Sequence, residues 1–441
     1  MTHADGRKEE LSLLAAFVAG VAAIALPMGY AGGAAYTRVD SEWYLYIAQG
    51  NAKASMNPFA ARQLGPLIVR ALAAITHASL LHCFLWLGIV SLFTLATICG
   101  WLLLQQGAGW VELVAVGGIF FWSPTFGSFM LPDAFVAALL SVFLWLLRKK
   151  KYTWAAVMLL PMFVARESTI LILICLLVAG WRFLSWLQRS LSVVASIAGI
   201  YVVHSLTAHS LPNREQINPL LYMAGKLPWN FVSNVLALGP WTSTLSGFCV
   251  APRWTVQLPA AIQFGTFRAV GICGWHPIWH PRVILLALCS FGLLPLLTLF
   301  LVCYHRQLVW GHSLFQRFCV VYGGVTFLMA PLLGRSMERL FLYSWPLFLL
   351  ITPVLAVSTF RGKDLPWKLL LGLHLITAWL DWAVFDYWEQ ASLTRAWGLC
   401  ALVVAVNLLA WRLLRRADLS TVRPLVHSNE QTSPAARCLG A

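Results

Sequence analysis

The chain has 441 residues, of which 60% are hydrophobic and 11% are charged, and its mean hydropathy is +0.75. Soluble globular domains are about one quarter charged, so this composition excludes an ordinary soluble domain and also disordered, collagen-like and disulfide-scaffold proteins. A polytopic helical membrane protein remains. The formal net charge is +15 at pH 7. Because the basic residues stand between apolar runs, this charge predicts membrane topology and contact with anionic membrane lipids rather than binding to nucleic acid.

About 12 apolar runs are the predicted membrane-spanning helices, and several need adjoining residues to reach the roughly 20 residues that cross a bilayer. The runs are 11–31, 79–104, 109–123, 134–147, 153–165, 168–181, 190–208, 283–303, 318–333, 340–359, 368–386 and 396–413. The predicted fold class is therefore all-α. We expect a single multi-pass domain over residues 1–416 and a short flexible cytoplasmic tail over residues 417–441.

The distribution of Lys and Arg predicts the orientation. With the N-terminus inside, almost every short inside turn carries a positive charge, most densely at 148–151. An even number of spans with both termini in the cytoplasm is therefore favoured. The run 11–31 is interpreted as an uncleaved anchor, because a signal peptide usually has a shorter apolar region. Two long outside loops, 32–78 and 209–282, are rich in aromatic residues and are expected to cap the outer leaflet.

The first long loop contains two predicted interfacial helices. Segment 40–50, DSEWYLYIAQG, places aromatic residues at helical spacing and starts with Asp40 or Ser41 as the expected N-cap. Segment 62–75 is a second such helix, interrupted by a Gly-Pro pair.

Acidic residues gather at the outer ends of the predicted spans. They are Asp40, Glu42, Asp133, Glu167, Glu338, Asp381, Asp386 and Glu389. Charged groups at membrane depth are costly unless they are paired or hydrated, so a convergent set predicts a functional site.

These carboxylates have alternative roles. Asp40 is either an N-cap or a general base for a hydroxyl nucleophile, and Glu42 is a supporting or a surface charge. Asp133 either caps the next helix or acts as a catalytic or acceptor-orienting group. Asp381 and Asp386 either pair with an outside arginine such as Arg395 or belong to the site.

Among the arginines that lie on the outside, against the positive-inside bias, we single out Arg62, Arg166, Arg335 and Arg339. One explanation is pairing with adjacent acids, Arg166 with Glu167 and Arg339 with Glu338. The other is that guanidinium groups hold a phosphate, which they match in geometry.

The histidines and cysteines give weaker indications of a metal site or a disulfide. His276 and His280 are four apart, but the prolines that follow each of them forbid a regular helix, and no metal site is predicted. The sequence predicts no cofactor, and a role for a divalent metal is left as an alternative. Cys249 and Cys273, both in the second long loop, are candidates for a disulfide if that compartment is oxidising, and the sequence leaves open whether they are bonded. P-loop, serine-hydrolase, zinc-protease and CxxC motifs are absent from the sequence.

The order of these features resembles the GT-C class of integral-membrane glycosyltransferases, which use polyprenyl-phosphate sugars. The resemblance covers roughly 30–360 and rests on VDSEWYLYIAQG, PFAARQLGPLIVRAL, LPDAFVAALL, ARESTILIL and GRSMERLFLYSWP. It implies that Asp40, in the first outside loop, is the catalytic residue and that Arg335 or Arg339 binds the donor phosphate. The WWDYG signature of oligosaccharyltransferases is missing, which disfavours transfer of a whole oligosaccharide to Asn.

The sequence therefore predicts an inverting glycosyltransferase in a bacterial inner membrane, with its active site facing the periplasm or exterior. The other expected substrate-pocket residues are Glu42, Arg62, Asp133, Arg166, Glu167 and Glu338. The expected partners are a polyprenyl-phosphate-linked sugar and membrane lipids, whereas the sugar and the acceptor are not predicted. A secondary transporter or flippase of lipid-linked intermediates is the alternative, and a non-enzymatic envelope assembly subunit is a third interpretation.

Overall fold

A computed structural model of the chain describes residues 3–33, 39–51, 55, 59–122, 130–207, 227–242, 252–259, 268–275, 279–334, 337–386 and 393–419. Helices dominate these residues. The first half contains α1 (His3–Gly33), α2 (Val39–Ala48), α3 (Leu64–Thr76), α4 (Leu80–Leu104), α5 (Trp110–Gly117), α6 (Asp133–Arg148), α7 (Tyr152–Ala165), α8 (Thr169–Gly180) and α9 (Trp186–Thr207). The second half contains β1 (Leu238–Thr242), β2 (Trp254–Gln257), β3 (Ala269–Trp275), α10 (Trp279–Cys289), α11 (Leu294–Trp310), α12 (Leu314–Leu333), α13 (Met337–Leu342), α14 (Thr352–Phe360), α15 (Trp367–Asp386) and α16 (Leu393–Leu419).

Each predicted apolar run overlaps at least one of these helices. Five helices are long and apolar enough to cross a membrane, and the number is six if the bent pair α10–α11 is one span. Several other apolar helices, such as α7 and α8, are shorter. The helical character of the membrane protein is therefore confirmed, whereas the number of about 12 spans stays a prediction.

The run 283–303 does not form one straight helix. It is divided between α10 and α11, which are bent by 77° at a short break. Gly292 lies in this break with φ +56°, and a Cβ there would lie 2.5 Å from Nδ1 of His374. Glycine adopts this left-handed conformation without steric cost, so it makes the sharp turn against α15 possible.

Both helices predicted in the first long loop form, with different boundaries. Helix α2 begins at Val39, so Asp40 and Ser41 lie in its first turn and the N-cap prediction is wrong for both. Helix α3 holds Gly65 and Pro66 in its own first turn. A proline needs no N–H partner there, so the predicted interruption is also wrong.

The largest hydrophobic cluster lies between α4, α6, α8 and α12. Phe143 of α6 and Phe318 of α12 are fully buried and meet edge to face, with ring centroids 5.3 Å apart. Burial of each such ring contributes about 2–3 kcal/mol. This packing fixes the ends of α6 and α7, which carry charged residues described below.

The second long loop contains a small sheet, so the all-α prediction is wrong in this segment. Its strands run antiparallel in the order β1-β3-β2. Val256 pairs with Val270, and Trp254 pairs with Ile272. Cys273 of β3 is disulfide-bonded, while Cys249, its expected partner, lies outside the described residues.

Candidate functional site

Five of the predicted site residues meet at one place, on elements that are distant in the sequence. Asp133 begins α6, and Arg166 and Glu167 occupy the turn between α7 and α8. Arg339 lies in α13, and Arg62 lies just before α3. A backbone bond from Gln63 N to Val164 O, 3.0 Å long, ties the Arg62 segment to the end of α7.

Arg62 forms the first half of the cluster. Its Nε and Nη2 atoms donate to the two carboxylate oxygens of Glu167 at 2.9 and 2.5 Å. Its Nη1 atom donates to the hydroxyl of Tyr44 at 2.9 Å, and its guanidinium lies 5.4 Å from the ring centroid of Phe59. Glu167 is thus held by an arginine 105 positions away, and the predicted pair between Arg166 and Glu167 is wrong.

Asp133 forms the second half. Its Oδ1 atom accepts from Arg166 Nη1 at 2.6 Å and from the hydroxyl of Tyr343, and its Oδ2 atom accepts from Arg339 Nη2 at 2.6 Å. The N-cap position belongs to Pro132, with no side-chain cap bond, so the capping interpretation of Asp133 is wrong. Because both oxygens are engaged by donors, this carboxylate is suited to hold the arginines in place.

The charges of the cluster stabilise one another. Burial tends to raise the pKa of the Asp133 carboxyl, but Arg339, Arg166 and Arg62 outweigh it and hold that pKa below its usual range. Burial likewise tends to raise the pKa of Glu167, and the nearby Arg62 lowers it. The pKa of Arg339 is raised, mainly by Asp133. Both carboxylates are therefore ionised at neutral pH.

Among the described side chains of the cluster, guanidinium groups outnumber carboxylates. Three guanidinium groups face two carboxylates, which leaves one net positive charge among these described side chains. Arg62 and Arg166 are only 8% and 7% exposed. The Nε atom of Arg166 is buried and has no hydrogen-bond partner among the described residues. A buried donor without a partner is costly, so this atom is a point of unsatisfied hydrogen-bonding capacity inside the cluster.

A small cavity adjoins the cluster and is partly open to the surroundings. The lining residues are Phe121, Asp133, Ala137, Arg339, Leu342, Tyr343 and Trp345. The guanidinium of Arg166 stacks on Tyr343, 4.6 Å from its ring centroid. Trp345, only 1% exposed, has an Nε1 atom without a hydrogen-bond partner among the described residues. The walls of this space are therefore mainly aromatic and aliphatic, and charged side chains stand at Asp133 and Arg339.

The remaining predicted residues lie elsewhere or outside the description. Glu42 is exposed on α2 and takes no part in the described network. Asp40 and Glu338 belong to α2 and α13, but their side chains lie outside the described residues, as does the whole of Arg335. Of the acids at the end of α15, the side chains of Asp381 and Asp386 are likewise not described.

Sequence reasoning missed the roles of Tyr44 and Tyr343. A signal was present for each, because Tyr44 follows Asp40 by four positions and Tyr343 follows Arg339 by four positions. Residues four apart share one face of a helix, so both hydroxyls were candidates for the same site.

The described residues offer no metal centre. No group of three or more His, Cys, Asp or Glu side chains among them is arranged to hold an ion. His280 lies in α10, and His276 is outside the described residues.

Comparisons with protein-family models, curated proteins and solved structures find no match to this chain. A functional assignment therefore depends on the chemistry of the cluster and on the motifs of the sequence.

Proposed function

We propose that the protein is an integral-membrane glycosyltransferase of the GT-C type that moves a sugar from a polyprenyl-phosphate donor to an acceptor at the outer face of the membrane. The observation that carries the proposal is the convergence of Arg62, Arg166 and Arg339, held by Glu167 and Asp133, in one buried cluster beside a small cavity lined by Tyr343 and Trp345. Guanidinium groups bind phosphate oxygens through paired N–H donors, and aromatic faces suit the apolar side of a sugar ring.

The reaction is a displacement at the anomeric carbon. The acceptor hydroxyl gives its proton to the Asp40 carboxylate while its oxygen bonds to the anomeric carbon. The bond from that carbon to the phosphate oxygen breaks, and the lipid phosphate leaves with the electron pair. Arg339 and Arg166 stabilise the charge on this leaving group, and Asp133 keeps both arginines in place.

The position of α2 supports Asp40 as the base. Asp40 lies one helical turn before Tyr44, whose hydroxyl accepts from Arg62. Positions four apart lie on one face of a helix, so Asp40 shares a face of α2 with Tyr44. The disulfide at Cys273 supports placing the second long loop in an oxidising compartment outside the cytoplasm.

The test of the base uses purified protein in lipid nanodiscs with a panel of radiolabelled polyprenyl-phosphate sugars and measures release of lipid phosphate. Asp40→Asn should lower turnover by roughly 10²–10⁴-fold, which is the usual contribution of a general base. Glu42→Gln, two residues along the same helix and exposed, is the matched control and should retain activity. Full turnover by Asp40→Asn would refute this assignment.

A second variant tests phosphate binding. Arg339→Gln removes one donor from the cluster and should lower kcat/KM for the donor by roughly 10²-fold, as expected for loss of a group that stabilises developing charge. Arg70→Gln, an exposed cation on α3, is the control. Equal activity of these two variants would mean that Arg339 does not contact the donor.

One observation favours a transporter as the second candidate. Broken helices are typical of transporters, and the sequence pattern did not indicate the 77° break between α10 and α11. In this break, however, the N–H of Leu293 donates to His374 Nδ1 at 3.1 Å, so that backbone donor is already used. Donor binding without release in the nanodisc assay, together with lipid movement across proteoliposomes, would establish the transporter instead.

A further inference from the structure

A second opening in the molecule lies apart from the arginine cluster. It is an apolar opening between α5, α11, α14, α15 and α16. The turn before α5 contacts the basic turn after α6, because Arg148 Nη2 donates to Gln105 O at 3.0 Å. Asp133 lies at the other end of α6. The opening, which we call the basic-end crevice, therefore begins at the opposite end of the helices from the proposed catalytic site.

The walls of the basic-end crevice are apolar. Most of its lining residues are aliphatic, including Leu296, Leu297, Val357 and Leu371. The two titratable lining residues have their polar atoms bonded within the protein. Glu112 Oε2 accepts from Gly109 N at 2.9 Å.

His374, the other titratable lining residue, is also satisfied. Its Nδ1 accepts from Leu293 N, so its Nε2 carries the proton and donates to Ala115 O at 2.8 Å. Its polar atoms are thus engaged by the protein, and the crevice offers a ligand mainly hydrocarbon contacts. Openings lined in this way do not hold water.

The surroundings of the crevice match the membrane interior and its interface. Trp110, Val114 and Leu369 flank the crevice on α5 and α15, and all three are exposed. Trp367 lines it at the start of α15, and tryptophan is enriched where the bilayer meets water. A hydrocarbon chain from the bilayer can therefore enter from the side.

Positive charge is concentrated where the crevice meets the interface. Segments 361–368 and 412–418 carry six Lys or Arg against two Asp. Arg361 follows the lining residue Val357 by four positions, and Lys368 precedes the lining residue Leu371 by three. Both cations are exposed.

An ion pair ties together two helix ends around this charge. Lys363 Nζ donates to Asp418 Oδ1 at 2.7 Å, which joins the segment before α15 to the end of α16. The bond occupies Lys363 with a protein carboxylate, whereas Arg361 and Lys368 are exposed.

We propose that the basic-end crevice is a binding site for an anionic phospholipid, with one acyl chain in the crevice and the phosphate headgroup at Arg361 and Lys368. Basic pockets between membrane helices bind anionic headgroups by charge attraction. This site does not depend on the proposed glycosyltransferase activity.

Native mass spectrometry of the full-length protein tests the headgroup contact. The protein is equilibrated with equal amounts of phosphatidylglycerol and phosphatidylcholine that have identical acyl chains, and the retained lipids are counted. The wild type should retain phosphatidylglycerol preferentially. Arg361→Gln and Lys368→Gln should each lower this preference roughly fivefold, whereas Arg182→Gln, an exposed cation after α8, should leave it unchanged. Equal retention of the two lipids by the wild type, or an equal loss in Arg182→Gln, would overturn the proposal.

A second pair of variants tests the acyl-chain contact. Leu371→Trp fills the crevice and should lower retention of both lipids, whereas Leu369→Trp, on the exposed side of α15, should not. Unchanged retention in Leu371→Trp would overturn the proposal. Detection of a lipid-free dimer would overturn it as well, because a second copy would then cover this surface.

Discussion

The acid response of the molecule depends on Asp133, because the arginines around it hold the pKa of its carboxyl below the usual range. A group whose pKa is lower in the folded state stabilises the fold above its unfolded pKa, near 4, and this stabilisation is lost as the pH falls through the folded pKa. We therefore expect the Tm to be nearly constant from about pH 7 to 5 and to fall below about pH 4.

Asp133→Asn should lower the free energy of unfolding at pH 7 by about 3–5 kcal/mol, because it removes one partner of a buried pair. The same substitution should reduce the loss of stability in acid. Thermal unfolding in detergent at several pH values measures both effects. Glu42→Gln should behave as the wild type, and an Asp133→Asn protein with the full wild-type acid response would contradict the expectation.

At the same scale, the sequence indicated five of the residues that meet in the cluster but not how they pair. Acids at the outer ends of spans and arginines against the positive-inside bias were visible as residue types in unfavourable positions. The partners were not visible, because Arg62 and Glu167 are 105 positions apart and Arg339 and Asp133 are 206 apart. The sequence alone favoured ion pairs between adjacent residues, such as Arg166 and Glu167. In the turn between α7 and α8, however, these two side chains bind different partners.

At the scale of elements, the bend between α10 and α11 depends on Gly292. Any other residue at this position would have to adopt φ +56°, and its Cβ would lie 2.5 Å from His374 Nδ1 and 2.6 Å from His374 O. Gly292→Ala should therefore lower the free energy of unfolding by about 2 kcal/mol or more, since a left-handed non-glycine residue alone costs about 1–3 kcal/mol. Gly372→Ala is the control on α15, because its Cβ would meet no atom within 4 Å, and it should be neutral or stabilise by about 0.5–1 kcal/mol. Equal Tm values for these two variants would show that the bend does not require glycine.

The elements differ in how well the sequence predicted them. Long apolar runs predicted helices correctly, because burial of a continuous run requires the backbone to bond within itself. The sequence did not predict the break in 283–303, because hydropathy stays high across Ser290–Leu293. The break is held by a contact between Leu293 and His374, which lies 81 positions further along the chain. The sheet was missed because its strands are short and contain Gly and Pro, and their pairing joins residues that are distant in the sequence.

At the scale of the whole molecule, the arginine cluster and the basic turn 148–151 lie at opposite ends of α6. This helix has 16 residues and is about 24 Å long at 1.5 Å per residue. Lys and Arg mark the cytoplasmic side, so the structure and the charge pattern together predict that the cluster and the disulfide-bonded sheet face outward. The prediction is tested with Lys151→Cys and Arg253→Cys, both at exposed positions, in a chain whose Cys303 and Cys438 are replaced by serine. On intact cells, a membrane-impermeant maleimide should label Arg253→Cys, and it should label Lys151→Cys only after permeabilisation. The reverse pattern would place the cluster in the cytoplasm, where a donor on the outer leaflet could not reach it, and both the orientation and the proposed reaction at the outer face would then be wrong.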